Sequence, residues 1–208
     1  MKTKGEKHLH NKETVRKMKE NDKERASAEE KYCVAIYDLQ QVLQCPKIEV
    51  GQAYYKSKLS VYNLTIYDAG QKQGYCYMWH KCIAFRVSSE IKSCVLSFIE
   101  QKADRSYKEL ILYSDNSMNY NIRITHNFME VGHTQNEGDS MHSTIKRCDK
   151  HVSIYVPSQW YVVARTACKK KPYHVKEMNQ NDFYDLKDLV ANTTKHMGKD
   201  RLVFLFGL

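Results

Sequence analysis

The sequence predicts an α/β domain: a mixed sheet of about five strands with flanking helices. Three strand-like runs follow one another between Tyr32 and about Phe85. One helix-period segment then separates them from a fourth strand that closes on Asp115. A further strand and helix complete the order before Lys150, so both periodicities, two and 3.6, alternate along one chain.

"YCVAIYDL", ending near Asp38, is a run of β-branched, aromatic and small apolar residues and reads as a buried first strand. The stretch from Leu59 to Tyr67 and the segment "GYCYMWHKCIAF" flank the turn signal Asp68-Ala69-Gly70, which predicts an antiparallel hairpin. Ser88 or Ser89 caps a helix in which Ile91, Cys94, Val95, Phe98 and Ile99 recur on one face. "KELILYSDN" supplies the fourth strand, and "HNFMEV" after a short polar link supplies the fifth. A helix beginning close to Asp139 carries Met141, Ile145 and Cys148, with Asn136 or Asp139 as its cap.

Three regions follow from this order. Residues 1–31 form a charged helical arm or spacer without an apolar stripe, so loose attachment is expected. Residues 32–150 form the core. Residues 151–208 make a C-terminal α/β extension packed on it, with an extended stretch to Val156, a helix from Pro157, a strand in "PYHVKEM", a helix capped by Asp182 and an apolar tail.

Strand, strand, strand, helix, strand, strand, helix is the order of an RNase H-like sheet, in which the first and fourth strands lie side by side and parallel. Asp38, Asp115 and Asp139 would then share one edge as candidate catalytic residues and metal ligands. Unpaired carboxylates so close would raise one another's pKa values, and a divalent cation that prefers oxygen, Mg²⁺ or Mn²⁺, relieves this. Two such ions about 4 Å apart serve phosphodiester displacement. Each acid also has an ordinary role available, at a strand end, in a turn or as a helix cap. Glu90, early in the first core helix, is either a fourth ligand or a favourable partner of the helix dipole. His133, Glu137, Asp139 and His142 raise the thought of zinc, but no matching Cys or His pair stands at ligand spacing elsewhere.

A formal charge of +9 and a pI near 9.1 point to polyanions, nucleic acid first and DNA before RNA. Lys169, Lys170, Lys171 and Lys176, with His133 and His142, are the candidate nucleic-acid contacts, and Trp160 and Tyr161 are aromatics near them. Seven scattered cysteines without a C-x-x-C pair argue against a disulfide framework or a zinc ribbon. No apolar run of membrane-spanning length and no apolar leader occurs, so a nuclear or cytoplasmic protein without a membrane partner is expected.

The blocks "YDLQQVLQCPK", "YMWHKCIAFRVSSEIKSC", "LYSDN", "GHTQNEGDSMHSTI", "YVPSQWYVVARTA" and "DFYDLKDL" resemble, in order, an uncharacterised transposon-associated domain family abundant in insects and other invertebrates. The resemblance spans about Tyr32 to Leu189. It implies RNase H-like or transposase-like chemistry, with the family's acidic positions at Asp38, Asp115 and Asp139. Two departures stand out. The family's helix after the fourth strand is missing, leaving residues 116–125 as a link shorter than a parallel crossover ordinarily uses. His80 and Lys81 stand in place of an acidic pair. A shortened copy with impaired catalysis is the resulting expectation, with an inactive nucleic-acid-binding module as its alternative.

Overall fold

A computed structural model describes residues 4–48, 57–103, 107, 109–114, 124–128 and 136–185. The first core strand, β1 (Tyr32–Leu39), is followed by a three-residue strand, β2 (Leu43–Cys45), that its short polar surroundings did not advertise. β3 (Leu59–Asp68) and β4 (Gln73–His80) form the expected antiparallel hairpin. β5 (Glu109–Ser114), β6 (Ile124–Phe128) and β7 (His174–Glu177) complete one seven-stranded sheet, ordered β6-β5-β1-β3-β4-β7 with β2 paired to β3.

β1 runs antiparallel to β3 and parallel to β5, as an RNase H-like order requires. β6 also runs parallel to β5, although only residues 115–123 separate the two strands. Strands this short rise about 17 Å, a distance that so few residues can return over without a helix. The C-terminal region contributes more than a packed layer, because β7 extends the sheet alongside β4.

Strand alternation divides the apolar residues between two faces. Ala35, Tyr37, Leu64, Ile66, Tyr77 and Trp79 meet Ile91, Cys94, Val95 and Phe98 of α2 (Ser88–Ala103) on one face. On the other, Val61, Cys76 and Met78 pack against Met141 and Ile145 of α3 (Glu137–Cys148) and Trp160 and Ala164 of α4 (Pro157–Thr166). Among the described residues, the extended stretch before α4 pairs through a single bridge between Ile154 and Lys47. Asp182 ends a short 3-10 turn, Gln180–Asp182, and residues 186–208, with the apolar tail, lie outside the described part.

The N-terminal arm departs most from expectation. It is a helix, α1 (Lys4–Ala28), docked over β1 and β5 beside Val34, Ile36, Ile111 and Tyr113. Its inward stripe is Val15, Lys19, Asp22, Lys23 and Ala26, at helical spacing but mostly charged. Lys19 is 4% exposed and reaches Glu137 at 2.6 Å, Lys23 meets the same carboxylate, and the Tyr113 hydroxyl donates to Asp22 at 2.5 Å. A search for an apolar stripe overlooks such a helix because the partners are charges.

Candidate metal centre and its surroundings

Asp38 sits near the C-terminal end of β1, opposite Thr65 of β3, on the face covered by α3. The first turn of α3 crosses β1 there. Asn136 caps the helix by accepting from the Asp139 N–H at 2.8 Å, while the Asp139 carboxylate accepts from the Asn136 N–H at 3.1 Å. That reciprocal cap fixes Asp139 in the first turn, and His142 follows one turn later.

The crossing is close enough to exclude a side chain at Gly138. A Cβ at that position would lie 2.8 Å from the Asp38 Cβ and 2.8 Å from the Asn136 Oδ1. Gly138→Ala is therefore expected to lift α3 from β1 and lower stability by about 1–3 kcal/mol. Denaturant unfolding checks this; no loss, or the gain that Gly→Ala gives at an unhindered helical position, would contradict the close approach.

Asp38, Asp139 and His142 each offer one ligand atom, and these atoms all lie within 4.8 Å of one another. The hydrogen bonds around His142 define what its ring can do. The Thr65 hydroxyl has one proton and donates it to the Asp38 carbonyl oxygen at 3.1 Å. His142 Nε2, 2.8 Å from the same hydroxyl, then donates to it, which leaves the Nδ1 lone pair 3.6 Å from the Asp38 Oδ2. Burial pushes the imidazole down to about 4, against the upward pull of the Asp139 carboxylate, so the ring is neutral at pH 7. A nitrogen acceptor facing carboxylates is the donor set a divalent cation satisfies, with Thr65 as the outer group that orients the ring. An imidazole in such a donor set would favour Mn²⁺ over Mg²⁺.

The cluster opens into a cleft of about 590 Å³, lined further by Gln40, Gln44, Lys47, Lys146 and Trp160. Lys47 is held by the Asp149 carboxylate at 3.0 Å and stands over the Trp160 ring. Sequence reading marked Asp139 and His142 as one turn apart, but it missed Thr65, Lys47 and Lys146. Thr65, a polar residue in an apolar strand, and Lys146, four positions after His142, were the available signals.

The other sequence-predicted residues lie apart from this cluster or outside the described residues. Asp115, directly after the last residue of β5, and His133 are outside. β5 leads toward the same edge, since Tyr113 pairs with Ile36 two residues before Asp38. Glu90 stands in the first turn of α2, whose apolar side packs on the opposite sheet face, and is not among the three clustered ligands. Lys169, Lys170 and Lys171 are exposed in the loop before β7. Lys171 donates to the Gln71 carbonyl at the β3–β4 turn, whereas the cleft opens toward β2 at the other end of β3. Lys176 bonds Ser97 and pairs with Asp182. Trp160 and Tyr161 are 2% and 6% exposed, so they are core side chains and no stacking platform.

Fold and site together define an α/β domain of the RNase H-like arrangement, with an Asp–Asp–His pocket at the end of its first strand. No family model, no curated protein and no solved structure matches the chain. Among the described residues no helix is long and apolar enough to cross a membrane.

Proposed function

We propose that the chain is a transposon-derived RNase H-like domain whose ancestral chemistry is metal-dependent phosphodiester cleavage or strand transfer on nucleic acid, impaired in this shortened copy. The observation that carries the reading is the convergence of Asp38, Asp139 and His142 beside the parallel pair of β1 and β5. A cation bound there would polarise a phosphate oxygen and activate water. The chain's own part is to gather the ligands: β1 presents Asp38, the α3 cap holds Asp139, and Thr65 orients His142.

Mn²⁺ is expected to raise the melting temperature of the protein at lower concentration than Mg²⁺ does, and Asp38→Asn and His142→Ala should each abolish the rise. Weak Mn²⁺-dependent nicking of labelled DNA, lost in Asp38→Asn, would establish activity. A wild-type protein whose melting ignores both cations would overturn the metal reading.

The shortness of the stretch between the parallel strands β5 and β6, residues 115–123, favours a second reading, a catalytically inactive nucleic-acid-binding module. Salt-dependent DNA binding without cleavage under any divalent cation is its signature.

A further inference from the structure

We infer that the outer stripe of α3 and the turn after it form a track for single-stranded nucleic acid leading away from the Asp–Asp–His pocket, an inference that rests on the nucleic-acid reading above. Asp139, His142, Ser143 and Lys146 line the cleft from α3, at spacings that keep them on one side of the helix. Lys146 follows His142 by one turn of α3, and Lys150 lies in the turn just after the helix ends. Both are exposed, and neither is in an ion pair among the described residues. Lys47, by contrast, is already neutralised by Asp149.

The track ends on apolar surface. Ile154 bridges to Lys47 of the cleft wall, and Tyr155 is the next residue along the chain. Tyr155 is 63% exposed, with Val152 at 42% and Val156 at 49%. A lysine on α3, a second in the turn after it and an exposed aromatic ring a few residues on match a strand that offers phosphates on one side and unstacked bases on the other. A duplex presents the phosphates but keeps its base faces stacked, leaving Tyr155 without a partner. The buried Trp160 and the remote Lys169–Lys171 loop supply no equivalent pairing of charge and ring.

Fluorescence anisotropy of the full chain with labelled oligo(dT) and with a duplex, in EDTA, tests the track apart from the metal. Lys146→Ala/Lys150→Ala is expected to reduce the slope of log affinity against log salt by about 1.4, two phosphate contacts on a single strand. Tyr155→Ala should weaken oligo(dT) about tenfold and leave the duplex almost unchanged. The triple variant Lys169→Ala/Lys170→Ala/Lys171→Ala should bind as wild type does. Wild-type binding that survives the track substitutions, or that is lost in the triple variant, overturns the track while the nucleic-acid reading stands. A wild-type chain that binds neither oligonucleotide overturns both, and the Mn²⁺ melting shift remains a separate measure of the metal site.

Discussion

Replacing Glu137 by Ala is expected to cost about 3–5 kcal/mol of folding stability, far more than an ordinary ion pair near a surface. Two ammonium groups converge on this carboxylate, and the Lys19 side chain is 4% exposed. Removing the carboxylate takes from the buried Lys19 its counter-charge at 2.6 Å, which is the expensive way to break a buried pair. Substituting Lys19→Met and Glu137→Gln together removes both charges and should cost distinctly less than the sum of the single changes. Urea unfolding of the two single variants and the double variant supplies the cycle. Single losses below about 0.5 kcal/mol would mean that α1 is held no more firmly than a surface arm.

The same pair carries a pH signature. Burial alone would raise the Glu137 pKa, but the hydrogen bonds and charges of Lys19 and Lys23 outweigh it and hold the carboxyl below its ordinary 4.5. A depressed carboxylate contributes stability that is present above its unfolded pKa and lost as pH falls through the folded value. Acid is therefore expected to release α1 below about pH 4.5. Because Glu137 opens α3 two positions before Asp139, that release also loosens one wall of the metal pocket. The N-terminal helix thus positions the site helix, although none of its described side chains lines the cleft.

Lys102→Met is the second substitution with a large expected effect, again about 3–5 kcal/mol. Lys102 Nζ donates to Asp68 at 2.7 Å, the Tyr75 hydroxyl at 2.8 Å and Gln71 at 2.9 Å, and the ion pair is 6% and 2% exposed on its two sides. Methionine fills much of the stem volume but strands the Asp68 carboxylate in the core. Burial by itself lowers the Lys102 pKa, yet the Asp68 and Tyr75 oxygens more than reverse this and leave it above 10.5. A raised ammonium contributes stability that is complete below the unfolded pKa and fades as pH rises through the folded one, so the contribution of Lys102 is expected to fade only in strong alkali.

The two substitutions have different consequences for function. The Lys102 network ties the end of α2 to the β3–β4 turn, away from the cleft that opens toward β2. Lys102→Met should therefore lower the melting temperature while the folded protein keeps the Mn²⁺-induced rise. Glu137→Ala should lower both. Melting curves with and without Mn²⁺ separate these outcomes; equal loss of the Mn²⁺ response in the two variants would contradict the assignment of Glu137 to the site wall.

Most elements were legible in the sequence because local rules governed them. β1, β3, α2 and α3 lie within a residue or two of where alternation and helical spacing put them, and β4 starts where the turn residues put it but ends at His80, five residues before the strand-like run does. The strand order was legible as well, since strand-strand-strand-helix-strand leaves few ways to bury both faces of a mixed sheet. β2 escaped because three residues carry too little periodicity; the strand in "PYHVKEM" was expected, but nothing local to "HVKE" says that it will extend the sheet at β4.

The candidate site was legible by half. Asp38 and Asp139 followed from strand end and helix start, and the position of His142 one turn beyond Asp139 was visible. Its role as the third member of the cluster depended on Thr65, seventy-seven positions away in sequence, orienting its ring. The lysine run before β7 attracted attention by charge density alone, and the fold carried it to the turn end of the hairpin.

What this sequence by itself determined was the α/β class, the identity and order of the main elements, and the basic character that favours a polyanion. These rest on periodicity, turn chemistry and net charge, each a property of neighbouring residues or of the sum. Only the tertiary structure decided that a helix with a charged stripe belongs to the fold, that Trp160 and Tyr161 are core while Tyr155 is exposed, and that a histidine stands with two aspartates. Those outcomes depend on pairings across the chain, where a buried lysine or an oriented imidazole acquires its meaning from a partner that local spacing cannot name.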